Sequence, residues 1–430
     1  MILTQNLSQV DIKKTEESVT GKMGLAWAYH MLKDFGLIER IEEKYLEKRS
    51  NREADAQRKI LALALMLMIG GEKVEDLEVL RQDKAFVGSL GWESIVSPDT
   101  MLNYLGIRKN GAKLRQINEI ATLESMIRSE IEEFTYDNDA TYFNSEKDCA
   151  TYSYKKEKQM SALLGFIAEL GICLTMNYRP GNVSPADGIL NQLRKTIMLA
   201  KSAGKRIARF RSDSAAYNKK ILKLCAKENI KYFVTVDKNC SVLARIKEIS
   251  SKPWKPLPNQ PGKEYAEIRN WMMDEEFIEM RLLVLRWENP DPTLFDQSKY
   301  CYHVIGTNDM EIEALEWLKT HNGRMGSENY NKEVKTGFSG DYTPSHDFVK
   351  NRNYFLICIL AYNATQILKM FYLGENARSW TIKTIRYWFL ETCGKFVKHA
   401  RKIICNIINA TEETFELFKI CLSRIVISSA

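Results

Sequence analysis

Three carboxylates stand where one sequence pattern gives way to another. Asp139 ends the alternating run Tyr136-Asp137-Asn138-Asp139-Ala140-Thr141. Asp213 ends Arg209-Phe210-Arg211-Ser212-Asp213-Ser214, and Glu328 follows His321-Asn322-Gly323-Arg324-Met325-Gly326-Ser327 at the expected start of a helix. Proteins of the α/β class place their sites at such strand and helix ends. Three hard oxygen ligands suit Mg²⁺, which keeps several waters and binds phosphate oxygens. Asp137 shares a strand face with Asp139 and is its rival. The histidines His30, His303, His321, His346 and His399 show no ligand spacing, and the nine cysteines include no Cys-x-x-Cys pair. Thiols so scattered read as reduced, in a cytoplasm.

The elements that must position these acids can be read from periodicity. Residues 20–130 are helical in pattern: the apolar stretch Ala54 to Ile69 stops at Gly70-Gly71, and Ser97-Pro98 is a strong helix start. Short helices joined by tight turns fit a helix-turn-helix DNA reader or a plain helical bundle. From Ile131 the pattern is of strands: the run ending at Asp139, then Leu163 to Glu169 and Gly171 to Tyr178 as a hairpin. The helix Asp187 to Lys201, strand Arg206 to Arg211, helix Ser214 to Glu228 and strand Lys231 to Val236 follow. Three antiparallel strands and then helix–strand alternation is the order of a ribonuclease-H-like domain, and of some other α/β folds. In the former, the first and fourth strands are neighbours and bring the two aspartates together. Four of the ten prolines fall between Pro253 and Pro261, and strand-like segments with polar turns follow, predicting a β-rich insertion. Helix resumes near Ser327, and Phe348 to Phe371 is a core helix.

Composition bounds the class. The chain has 430 residues, 45% hydrophobic and 27% charged, which excludes a disordered chain and allows about two to four domains. The longest apolar run, Ile60 to Ile69, is about half a membrane span, and no signal peptide pattern precedes it. The net charge of +7 is unevenly spread. From Arg378 to Lys402 seven Lys and Arg face the single acid Glu391, with Trp380, Tyr387, Trp388 and Phe396 between them. This reads as a basic helical surface that meets phosphates.

The sequence resembles the DDE transposases of bacterial insertion sequences, in the group with a Tyr-Arg-Glu-Lys signature. Here His321, Arg324, Glu328 and Lys335 keep that spacing, with only the first residue changed. Asp139-Ala140-Thr141, Arg211-Ser212-Asp213-Ser214-Ala215-Ala216-Tyr217, Arg179-Pro180-Gly181-Asn182-Val183-Ser184-Pro185 and Leu360-Ala361-Tyr362-Asn363 are also similar to that family. The resemblance favours Asp139 over Asp137. It implies Asp139, Asp213 and Glu328 as catalytic residues holding two Mg²⁺ ions, with Mn²⁺ as a substitute. It also implies phosphate contacts from His321, Arg324 and Lys335, and base stacking on Trp271 or Trp287 in a hairpin step. Arg386, Lys398, Arg401 and Lys402 are the further DNA-binding candidates.

The expected fold is α/β plus helical regions: a ribonuclease-H-like catalytic domain interrupted by a β-rich insertion and flanked by N- and C-terminal helical domains. Residues 1–130 are the helical DNA-binding domain, 131–238 and 321–372 the two parts of the catalytic domain, 239–320 the insertion, and 373–430 a basic helical region. The expected function is binding, cutting and joining of insertion-sequence ends to target double-stranded DNA by a homodimer in a bacterial cytoplasm, without a membrane. A non-catalytic DNA-binding derivative and a metal-dependent nuclease without strand transfer are the alternatives.

Overall fold

Strands buried along most of their length, β3 and β4 above all, build one large sheet on which the candidate site is placed. The computed structural model describes residues 17–45, 56–249, 254–273, 279–290, 299–399 and 402–428. Ten strands join in the sheet: β1 (Glu133–Asn144), β2 (Thr151–Tyr152), β3 (Lys158–Ile167), β4 (Ile172–Pro180), β5 (Arg206–Ser212), β6 (Lys231–Thr235), β7 (Lys255–Pro256), β8 (Lys263–Met272), β9 (Glu279–Glu288) and β10 (Tyr300–Thr307). Their order is β2-β3-β1-β5-β6-β10-β9-β8-β7, with β4 also paired to β3. Strands β1, β3 and β4 are antiparallel, whereas β1, β5 and β6 run parallel. The helices Ile189–Ser202 and Lys219–Lys227 make the crossovers that parallel pairing demands. The expected strand sequence is present, with the first strand beside the fourth of the long ones.

Strand β10 pairs antiparallel with β6, so the strands of the segment 239–320 extend the same sheet. That segment ends in the helix Ala314–Asn322, where sequence reading placed β structure. Trp317 and Leu318 of this helix pack with Phe233, Leu283 and Ile305 in a small second core.

The N-terminal helices pack intimately on the C-terminal half of the protein. In the helix Ala56–Met68 every residue from Ile60 onward is buried. It lies against the helix Phe348–Ile367, which also packs on Asn110–Arg128. Asn118 donates to the Leu356 carbonyl at 3.1 Å, and Asn363 donates to the Asn118 side chain at 3.0 Å. A Cβ added at Gly24 would lie 1.8 Å from the Phe389 carbonyl, so that helix seats directly on C-terminal backbone. The physical cause is the helix Phe348–Ile367 itself. It is apolar on all sides and must be covered on all sides. With its continuation to Tyr372 it is long and apolar enough to cross a membrane, but 89% of its apolar window is buried in protein.

The basic C-terminal region is only partly helical, contrary to expectation. Cys393–His399 and Lys402–Ile408 form a separate hairpin, β11 and β12, before the helix Glu412–Ser428. Phe396, Val397, Ile403, Ile404, Ile407 and Ile408 are β-branched or aromatic and favour the pleated form.

Candidate active site

Strand pairing brings the two aspartates side by side. Asn138 is registered against Ser212 across β1 and β5, and the Ser212 hydroxyl donates to the Asn138 carbonyl at 2.9 Å. The next residue on each strand is Asp139 and Asp213. Asp213 also accepts the Ala215 amide at 3.0 Å, capping the turn that follows β5. Glu328 arrives on the helix Met325–Lys332.

Arg324 lies between these acids. Its guanidinium is 3.8 Å from Asp139 Oδ1 and 2.9 Å from Glu328 Oε1. Asn331, on the Glu328 face of the helix, donates to Asp139 Oδ2 at 3.0 Å. Lys335 follows in a wide π-helical turn, Glu333–Gly337, and donates to the Tyr142 carbonyl at 3.0 Å. Asp139, Thr141, Glu328, Asn331, Lys332 and Lys335 line a cleft of about 260 Å³. Four of the positions singled out above, Asp139, Glu328, Arg324 and Lys335, thus meet at one place, with Asp213 beside them. Asn331 and Lys332 were missed. Their signal was spacing: three and four residues after Glu328 is the same helix face.

Three acids, Asp139, Asp213 and Glu328, share this region with the cations Arg324, Lys332 and Lys335. Burial and the neighbouring Asp213 and Glu328, opposed by Arg324, together push the Asp139 carboxyl up to about 6. Arg324 Nε and Asn331 Oδ1 are buried without a hydrogen-bond partner. Three carboxylates, a raised pKa and an orphaned acceptor are a donor set whose chemistry fits a hydrated divalent cation. Their spacing is wider than a closed coordination shell. Among the described residues no three His, Cys, Asp or Glu side chains are gathered tightly enough to hold a metal.

Asp137 behaves differently although it sits two residues away. It is fully buried, and Arg211 grips it with Nε at 2.6 Å and Nη2 at 2.7 Å. Burial raises its carboxyl while Arg211 pulls it back.

Two of the expected DNA contacts, His321 and Arg386, have partners within the protein. His321 is 4% exposed, with Nε2 3.3 Å from the Thr235 hydroxyl and its ring 5.7 Å from that of His303. Burial, then His303 and Arg324, lower its pKa to about 3, which favours the neutral ring. Arg386 is spent on the carbonyls of Met68, at 2.7 Å, Leu67, at 2.9 Å, and Gly337. It ties the end of the helix Ala56–Met68 to the C-terminal half, using donors that DNA would need.

Trp271 donates its indole N–H to the Tyr217 hydroxyl at 3.2 Å, four residues beyond Asp213. Trp287 stands apart from it on β9, with the Lys263 ammonium 5.4 Å from its ring centre. Arg401 and the side chains of Lys398 and Lys402 lie outside the described residues.

Residues 4–428 match the family described as transposase DDE domain, group 1. No curated protein matches the chain. A solved structure with some similarity is a piggyBac transposase synaptic complex with hairpin DNA, determined by cryo-EM. It is 12% identical over 78% of this chain and 74% of that one, with a TM-score of 0.43.

Proposed function

We propose that this chain, which belongs to the transposase DDE domain group 1 family, cuts DNA at the ends of a bacterial insertion sequence and joins them to target DNA. The observation that carries the site assignment is the convergence of Asp139 in the middle of β1, Asp213 just beyond β5 and Glu328 in the helix Met325–Lys332. The order β4-β3-β1-β5-β6 supports reading the core as ribonuclease-H-like.

Asp139, Asp213 and Glu328 are the residues that would hold Mg²⁺, as two ions. When bound, the ions supply an activated water or 3′-hydroxyl and stabilise the leaving oxygen. Asn331 fixes the orientation of the Asp139 carboxylate. Arg324 balances charge between Asp139 and Glu328 and is suited to grip a phosphate with two parallel N–H groups. Lys335 offers a point charge at the rim of the same cleft. Trp271, held through Tyr217 near Asp213, is the better placed platform for an unstacked base if the reaction passes through a hairpin. Trp287 is the second candidate. Lys398, Arg401 and Lys402 add sequence-independent phosphate attraction, and two copies acting on two ends in the cytoplasm complete the reading.

The test is incubation of the full-length protein and Mg²⁺ with DNA carrying the inverted repeats that flank its gene. Cleaved ends and joined products are expected, both lost in Asp139→Asn. Cleavage without joining would instead mark a nuclease, and specific binding without cleavage a DNA-binding derivative.

A further inference from the structure

A second cavity, of about 520 Å³, lies off the other face of the helix that carries Glu328. Tyr330 lines it, whereas Glu328 and Asn331 line the cleft with Asp139. Arg128, Glu169, Gln366, Lys369 and Arg378 contribute to its wall. Lys369 is the unusual member. It is the only charged residue between Arg352 and Glu375, at the end of the long apolar helix. It sits in a π-helical turn, Leu368–Tyr372, a geometry that widens the helix and recurs at functional positions.

Lys369 is only 8% exposed, and among the described residues no hydrogen bond or ion pair reaches its ammonium. The acid whose field it feels is Glu333, but Glu333 Oε1 accepts the Ile382 amide at 2.7 Å. A buried cation without an anionic partner is costly unless a ligand supplies one. The wall offers further donors from separate elements. Arg378 is exposed and without a partner among the described residues, and Arg128 uses one N–H on the Phe35 carbonyl and keeps others. Glu169 makes no ion pair with Lys369; both its oxygens accept the Thr135 amide, at 2.9 and 3.0 Å. Glu130 is exposed.

We propose that this cavity is a phosphate-binding site separate from the Asp139 cleft, with Lys369 as its buried cation. Phosphate fits better than a monatomic anion because the donors are several and the space is large. The phosphate belongs either to a DNA backbone or to a free phosphate compound. In both cases its contact with Tyr330 reaches the helix that positions Glu328.

The test is thermal unfolding of the full-length protein with increasing inorganic phosphate at constant ionic strength. The wild type should show a saturable rise in Tm. Lys369→Met should abolish that rise and, without phosphate, unfold no earlier than wild type, since the unpaired cation is gone. Arg378→Gln, on the surface, should weaken the phosphate response several-fold without touching the core, and covers the case of a Lys369 variant that fails to fold. A wild type without a response, or Lys369→Met with an undiminished one, overturns the proposal. The two sources separate on duplex DNA. A backbone phosphate requires the log–log salt slope of binding to fall by about 0.9 in Lys369→Met, whereas an unchanged slope assigns the site to a free phosphate compound. The titration needs no DNA cleavage, so a failed strand-transfer assay leaves it standing.

Discussion

Asp137 and Asp139 stand two residues apart on one strand and have opposite fates. Asp137 is sealed in the protein with a two-point Arg211 partner. Asp139 is partly exposed on the cleft, and its neighbours are two more acids and an arginine shared with one of them. A buried charge with its own counter-ion holds structure together, whereas a buried charge left short of one is waiting for a ligand. The same contrast separates Arg386, whose donors are used up on three carbonyls, from Lys335, at the rim of an open cleft.

The largest effect that could break this contrast is on activity. Asp139→Asn should reduce DNA cleavage by about a thousandfold or more, since metal-assisted charge stabilisation is worth several kcal/mol. The same variant should be more stable by about 1–3 kcal/mol near neutral pH. Its folded carboxyl is raised to about 6, so above that pH the ionised form works against folding, and an amide removes that penalty. An Asp139→Asn protein that is inactive and less stable would place the residue with Asp137. For Asp137→Asn the expected result is reversed in kind: a loss of about 3–5 kcal/mol in urea unfolding, because Arg211 is left buried and alone.

Arg386→Met sharpens the contrast among the cations. It should cost about 2–4 kcal/mol through three lost charged hydrogen bonds and leave the salt dependence of DNA binding unchanged. A flatter salt slope would return Arg386 to the DNA-contacting set. The smallest effect concerns His321. Its folded pKa is lowered, so the unfolded chain binds the extra proton. The stability contribution is complete above about pH 6.5 and is lost as pH falls toward 3. Between pH 7 and pH 5 the wild type should lose about 2 kcal/mol more than His321→Gln, measured by urea unfolding at both pH values.

Much of the site was legible because its signals are local. Asp213, Arg324 and Glu328 lie at or near the starts and ends of elements whose periodicity is clear; Asp139 does not close its strand as read, because β1 continues to Asn144, but strand pairing still sets it beside Asp213. What was not legible depends on distant partners. Nothing near His321 announces that Thr235 and His303 enclose it. Arg386 looks like one more cation of a basic run until Leu67 and Met68, more than 300 positions earlier, are seen to need capping. The hairpin of β11 and β12 was hidden by its charges, which were weighed before its β-branched residues. The continuity of β10 with β6 is likewise set by pairing across an insertion, which composition does not encode.

The helix Phe348–Ile367 also dictates when the chain can finish folding. The N-terminal helix Ala56–Met68 leaves the ribosome early, but the surface that buries it is made roughly 300 residues later, about 15–60 s at ordinary elongation rates. During that interval a nine-residue apolar stretch, Ile60 to Met68, has only the partial cover of the neighbouring N-terminal helices and depends on chaperones or transient burial for the rest. A message truncated anywhere before this helix would therefore yield an aggregation-prone fragment and no free-standing N-terminal domain able to compete with the full-length protein.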